Sequence, residues 1–185
     1  MADAIKILAP VNRDQIRFLK AGDNVLISGS VYTGMHTVQQ KLVETLTRGE
    51  QVNVDLRNHL FYFVGPTPAK PGRVIGSAGP EASGWIDKYS PQLLAQGLSG
   101  IIGTWVYTPV VIDAVREHGA VYFGAIGGVG ALYSKRIVST EVVAYPELGP
   151  EAIYRIELES FPAVVIIDSQ GNNLYESAKA KYRRI

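Results

Sequence analysis

The stretch Gly79-Pro80-Glu81-Ala82-Ser83-Gly84-Trp85-Ile86-Asp87-Lys88-Tyr89 gathers two carboxylates, a serine hydroxyl and an ammonium in a glycine-rich loop. Groups of these types hold and move protons, and loops of this kind host sites more often than cores do. Glu81, Ser83, Asp87 and Lys88 are the candidates. Taken singly, each could also be a solvated turn residue or a helix cap. His36 follows the apolar run Val31-Tyr32-Thr33 and is the imidazole candidate, with a satisfied structural histidine as its alternative. A Ser–His–Asp order with nucleophile-elbow glycines does not occur. In Gly124-Ala125-Ile126-Gly127-Gly128-Val129-Gly130 the dinucleotide spacing G-x-G-x-x-G fails, and Gly-Lys-Ser/Thr is absent. That loop is either a nest of backbone N–H groups facing an anion or a tight turn with close backbone packing. Met35, Trp85 and Trp105, each read alone, are packing residues.

Composition excludes several chemistries. With no Cys there is no disulfide, cysteine zinc site, thiol nucleophile or iron–sulfur cluster on this chain's own thiolates. His36, His59 and His118 lack metal-ligand spacing, so no metal site is expected. The net charge of +1 gives no electrostatic case for nucleic acid or a membrane surface. Neither a membrane span nor the apolar region of a signal peptide is found, which makes a soluble cytoplasmic protein the expectation. A length of 185 residues with 46% hydrophobic content suits one globular domain, 1–185.

The elements that must carry these residues follow from pattern. A strand is expected over 23–32. A helix should span 37–48, with Val38, Leu42, Val43 and Leu46 at helical spacing and Gly49 as its stop. The apolar run 61–64 leads into a rigid Pro-rich loop, 65–72, and 74–79 reads as a short strand entering a turn. Ser90-Pro91 has the grammar of an N-cap with Pro at the first helical position, opening a helix at 92–96 stopped by Gly97. A strand at 100–106 precedes a helix capped by Thr108-Pro109 and closed by Gly119. Strands follow at 120–123, 139–144, 153–159 and 163–168. A hairpin turn is expected at 170–173 before Leu174-Tyr175, and a frayed basic tail from about 179 to 185. The interleaving favours a mixed α/β domain in layers.

Several of these stretches together resemble one family. Gly65-Pro66-Thr67-Pro68-Ala69-Lys70-Pro71-Gly72, Ile75-Gly76-Ser77-Ala78-Gly79-Pro80, Asp87-Lys88-Tyr89 and Tyr122-Phe123-Gly124-Ala125-Ile126-Gly127-Gly128 are similar to the β subunit of class I iron–sulfur hydro-lyases, the fumarases and L(+)-tartrate dehydratases. So are Val142-Val143-Ala144-Tyr145-Pro146-Glu147-Leu148-Gly149-Pro150-Glu151-Ala152, Phe161-Pro162-Ala163 and Asp168-Ser169-Gln170-Gly171-Asn172. The resemblance covers the chain from about Asp23 to Tyr175. It implies a β/β/α layered, swivelling domain. It also implies a helical α subunit, or fused N-terminal domain, holding a [4Fe–4S] cluster through three Cys. The open iron of that cluster acts as a Lewis acid on the hydroxyl and carboxylate of a small hydroxy acid. No cluster ligand is implied in this chain, and a homo-oligomer is left open.

The sequence departs from the family where the family holds its substrate. The family's first helix usually opens Tyr-Thr-Ala-Arg-Asp-Ala-Ala-His, against Tyr32-Thr33-Gly34-Met35-His36-Thr37-Val38-Gln39 here. The substrate-binding Arg thus falls on Met35, the Asp on His36 and the His on Gln39. In the second loop, Gly-Pro-Thr-Thr-x-Gly-Arg-Met-Asp, the Thr implicated as base falls on Glu81 and the clamping Arg on Trp85. Gly-Lys-Gly becomes Gly103-Thr104-Trp105, so the Lys is lost. Removing one partner of a buried charge pair costs about 2–5 kcal/mol. Met35, Trp85 and Trp105 are large and apolar and Glu81 is anionic, a combination that disfavours a dianion and suits a less charged ligand. The expectation is a hydro-lyase β subunit of altered substrate choice. Glu81 would be the proton-transfer group, and Thr33, His36, Ser83, Asp87 and Thr104 the polar contacts. Met35, Trp85 and Trp105 would be the pocket walls. The alternative is a non-catalytic paralogue acting as a binding or regulatory module.

Overall fold

The computed structural model describes residues 4–52, 54–82 and 84–183. In chain order the elements are β1 (Ile5–Ala9), α1 (Arg13–Ile16), β2 (Asn24–Thr33), α2 (His36–Thr47), β3 (Leu60–Tyr62), α3 (Ile86–Ala95), β4 (Gly100–Gly103), α4 (Pro109–Glu117), β5 (Val121–Gly124), α5 (Gly130–Tyr133), β6 (Ile137–Ala144), β7 (Ile153–Ile167) and α6 (Leu174–Tyr182). The protein is α/β. β1 to β5 lie side by side in sequence order and parallel, then β7 and β6 follow antiparallel.

β7 also pairs antiparallel with β2, which closes β2, β3, β4, β5 and β7 into a ring. Val164 shows the closure, since it stands opposite Asn24 of β2 on one side and Gly124 of β5 on the other. The sequence suggests two strands, 153–159 and 163–168, but the structure runs them together. Ser160 takes the bulge, with φ 49°, and its N–H donates to Ser28 Oγ at 3.0 Å. Pro162, which lacks an N–H, falls between the stretch of β7 paired with β6 and the stretch paired with β5, where no ladder bond is needed on that side.

The strands β3 to β5 are apolar on both faces because both faces are buried. Leu60, Tyr62, Ile102 and Phe123 pack with Val31 and Phe161 in one cluster. Their alternates Phe61, Ile101 and Tyr122 pack with Leu42 of α2, Leu93 of α3 and Val111 of α4 in a second.

Local grammar holds for α4, where Thr108 is the N-cap and Pro109 the first helical residue. It fails for α3. That helix begins at Ile86, Pro91 lies inside it, and the Ser90 hydroxyl donates to Ile86 O at 2.8 Å instead of capping. Burial of Ile86, Tyr89, Leu93 and Leu94 on one side outweighs the backbone bond lost at Pro91. Residues 74–79 are no strand. They clasp Thr67, whose N–H donates to Ser77 O at 3.0 Å while its carbonyl accepts from Gly76 N–H at 3.1 Å. β4 ends at Gly103, short of the expected 106. The expected hairpin turn at 170–173 is present and is closed by an antiparallel bridge between Ile167 and Asn173, but it leads into α6 rather than a strand, with Asn173 capping that helix through Tyr175 N–H at 3.0 Å. Helix α6 continues to Tyr182, so most of the tail expected to fray is helical. β1 and α1 are additional to the elements expected from the sequence.

Candidate functional site

β2, β3, β4 and β5 are parallel, so their carboxyl ends lie along one edge of the sheet. The loops that leave those ends include residues 34–35, 63–85, 104–108 and 125–129. Ligand sites of parallel sheets, open or closed, commonly form at the carboxyl ends of the strands. Residues 32–37, 79–88 and 103–108 come together there, held by specific bonds.

The first bond set joins His36 and Glu81. Glu81 Oε1 stands 2.7 Å from His36 Nδ1, and Glu81 Oε2 accepts from the His36 backbone N–H at 3.1 Å. That N–H is one of the orphan donors at the start of α2, whose N-cap, Met35, has no side-chain oxygen to offer. Glu81 is fixed in turn by its own N–H, which donates to Phe63 O at 2.7 Å just beyond β3. The second set joins Asp87 and α4. Asp87 Oδ2 accepts from Thr108 N–H at 3.0 Å. This is the contact that a residue inside the helix makes in a capping box.

Met35 and Trp105 are seated by glycines. A Cβ at Gly65 would lie 2.1 Å from Met35 Sδ, so the thioether occupies the space a side chain would need. A Cβ at Gly84 would lie 3.3 Å from Trp105 Cζ2. The Trp105 backbone is clamped by the Tyr122 hydroxyl, which accepts from Trp105 N–H at 2.7 Å and donates to Trp105 O at 3.0 Å. Tyr107 meets the Tyr122 ring edge-on, at 4.5 Å between centroids. Burial raises the pKa values of Tyr107 and Tyr122 above the usual phenol value, and the nearby Asp87 charge adds to both. The Tyr107 hydroxyl and Asp87 Oδ1 are buried without a hydrogen bond of good geometry, although the Ser90 hydroxyl lies close to Tyr107.

The other sequence candidates are placed as follows. Thr104 and Trp105 are half-buried, and Thr104 lies beside the 124–130 loop, where a Cβ at Gly127 would lie 4.0 Å from its Oγ1. Trp85 is 61% exposed, and Val106, Val110 and Ile126 are also exposed. Thr33, expected as a substrate contact, is fully buried at the end of β2, flanked by Tyr62 and Tyr154, and its hydroxyl has no hydrogen-bond partner among the described residues. Ser83 lies outside the described residues. Gly130 shows the close backbone packing expected of its loop. A Cβ there would be 2.5 Å from Ser77 Oγ and 2.6 Å from Gly79 N, so the glycine permits a close backbone crossing.

Residues 32–37, 79–88 and 103–108 contain no Arg, and Lys88 is their only Lys. Lys70 does not take the place of the missing cations. It lines a groove of about 580 Å³ with Arg73 and Lys135, bounded by residues 67–77 and 131–137. The residues that sequence reasoning missed are Tyr107 and Tyr122. Neither is among the expected site residues, because no local signal marks a hydroxyl that will clamp a distant loop. Among the described residues, no group of His, Asp and Glu is placed to hold a metal ion, and no helix is long and apolar enough to cross a membrane. With no Cys in the chain, thiolate ligands for a cluster would have to come from outside it.

Residues 1–178 match the sequence model of the family described as Fumarase C-terminus. The aerobic class I fumarate hydratase of Escherichia coli (strain K12) is 38% identical over 152 residues, which is 81% of this chain and 28% of that protein. A putative class I fumarate hydratase of Geobacillus stearothermophilus is 34% identical over 177 residues, 93% of this chain and 34% of that one. A putative L(+)-tartrate dehydratase subunit beta of Methanocaldococcus jannaschii is 29% identical over 177 residues, 92% of this chain and 91% of that subunit. The chain therefore spans about a third or less of these fumarate hydratases and nearly all of the tartrate dehydratase subunit. A match over nearly the whole chain, together with the site loops gathered at one sheet edge, places the protein in the Fumarase C-terminus family.

Proposed function

We propose that this chain is the β component of an iron–sulfur hydro-lyase that adds or removes water on a small hydroxy acid less charged than a dicarboxylate. Its partner is a cluster-bearing α component, which supplies the [4Fe–4S] group that this chain's residues cannot ligate. The β/β/α swivelling architecture implied by the resemblance is part of this reading. The two apolar clusters on opposite faces of β3 to β5 support it. The exposed Trp85, Val106, Val110 and Ile126 offer an apolar rim for that partner to cover. We also place the protein in the cytoplasm.

The observation that carries the reading is the Glu81–His36 pair. Two positions that depart from the family pattern, the base and its neighbour on α2, are in direct contact, 2.7 Å apart. Two unrelated losses would not be expected to form a proton-handling pair at the sheet edge where the family works. The proton-transfer role falls to this pair. In this reading Met35, Trp85 and Trp105 bound the space beside it, and without a guanidinium there a second carboxylate loses its bidentate anchor.

The test is capture of the chain from its native source, with iron and sulfide analysis of what accompanies it, followed by water-addition assays on fumarate and crotonate. The expected result is an iron–sulfur partner and turnover of the monocarboxylate in preference to the dicarboxylate. The isolated chain should be folded, colourless and inactive on fumarate. A captured complex without iron or sulfide and without hydration of either acid would favour the alternative, a non-catalytic binding module.

A further inference from the structure

We infer that His36, through Nε2, is the catalytic group that exchanges the proton with substrate, and that Glu81 is a positioning residue. The inference rests on the hydro-lyase reading above and divides the labour within its proton-handling pair.

Exposure and hydrogen bonding argue for the same division. The Glu81 side chain is 10% exposed, and each of its oxygens is already engaged by His36. To reach a substrate it would have to break a charge-assisted hydrogen bond and leave a helix N–H unpaired. The His36 side chain is 38% exposed. An ionised carboxylate only accepts, so the ring proton in the 2.7 Å contact sits on Nδ1. The neutral ring then keeps its lone pair on Nε2, at the far side from Glu81. A carboxylate behind an imidazole fixes tautomer and aim in this way, and it stabilises the imidazolium that forms when the proton arrives.

The pair is anchored on three sides. His36 is the first residue of the 12-residue helix α2, so its backbone is set by the helix. Glu81 is tied to the end of β3 through Phe63 O. Met35, next to His36, is wedged over Gly65. In the dehydration direction the C–H proton beside the carboxylate moves to Nε2, and the C–H electron pair becomes the new C=C bond. The hydroxyl on the neighbouring carbon leaves with its C–O pair as hydroxide. Proton and hydroxide together make the water released, and the imidazole returns to neutral. Hydration is the reverse.

Two measurements test the assignment. In the full chain labelled with 15N-histidine, long-range 1H–15N spectra at neutral pH should show His36 with its proton on Nδ1. Glu81→Gln should abolish that bias while the backbone spectrum stays folded. A proton on Nε2 in the wild type, or a tautomer indifferent to Glu81→Gln, overturns the assignment without needing partner or substrate. In the complex with the cluster-bearing partner, assayed on fumarate and crotonate, His36→Gln should lower kcat by about 10²–10⁴-fold with little change in KM. Glu81→Gln should lower it by about 10–100-fold. Activity within threefold of wild type for His36→Gln, or a larger loss from Glu81→Gln than from His36→Gln, also overturns it. A complex that hydrates neither acid removes the hydro-lyase reading and the catalytic use of His36 with it, even where the tautomer is as expected. A wrong tautomer in an active complex removes only the division of labour.

Discussion

The helices away from the candidate site and those opening onto it begin in different ways. Helices α1 and α6 are closed at their N-termini by their own Asn12 and Asn173, each accepting from a backbone N–H within its own helix. Neither Met35 of α2 nor Thr108 of α4 makes a side-chain cap bond. Their starts receive carboxylate oxygens from elsewhere, Glu81 at the His36 N–H and Asp87 at the Thr108 N–H. Local amide caps need only a few residues to form and do not titrate. Caps supplied from residues 79–88 exist only once the tertiary structure has formed. The same segment that presents the candidate chemistry therefore also completes two helices, so changes in its side chains should alter stability and site geometry together.

Alkaline unfolding should sharpen this contrast most. Tyr107 and Tyr122, behind the 104–108 loop, have pKa values pushed up by burial. The folded state keeps its phenol protons where the unfolded chain gives them up near pH 10. Their contribution is complete below that pH and falls as pH rises toward the folded values, by about 1.4 kcal/mol per pH unit for each phenol. Urea melts at pH 9 and 11 on wild type and on Tyr107→Phe/Tyr122→Phe should show a markedly shallower pH dependence in the double variant. Equal slopes would mean that these phenols already meet water.

Removing the supplied cap comes next in size. Glu81→Ala should cost about 1–3 kcal/mol because it leaves His36 N–H and Nδ1 without their acceptor. Asn12→Ala at the self-capped α1 should cost about 1 kcal/mol. Denaturant melts rank the two, and hydrogen exchange at the His36 amide shows whether the loss is local to α2. If Asn12→Ala proved the more damaging, the site edge would not depend on Glu81 as described.

A third contrast lies between two glycines of one loop. Gly130→Ala should destabilise by about 1–3 kcal/mol, since its Cβ would press on Ser77 Oγ and on the backbone of Gly79, two residues before Glu81. At Gly127 the nearest atom to a Cβ is 4.0 Å away, so Gly127→Ala should be close to neutral. A perturbed His36–Glu81 contact in Gly130→Ala but not in Gly127→Ala, read from the His36 ring signals, would tie the loop crossing to the site.

Sequence by itself determined what depends on neighbours a few residues apart. The strand at 23–32, the Val38 and Leu42 stripe of α2, the Thr108-Pro109 start of α4 and the glycine stops at Gly49 and Gly119 are all local patterns, and the structure keeps them. The family could also be read there, because the ordered motifs survive even where the substrate-holding residues have changed. Tertiary structure alone decided what depends on distant partners. Glu81 lies 45 positions from His36, and Asp87 lies 21 from Thr108. The start of α3 was decided by which face could be buried, against the local preference of Ser90-Pro91. The burial of Thr33 follows from β7 returning to β2 across the whole fold. A pattern of residue types carries the preference of each segment, but which carboxylate reaches which helix is fixed only when parallel strands bring their ends to a common edge.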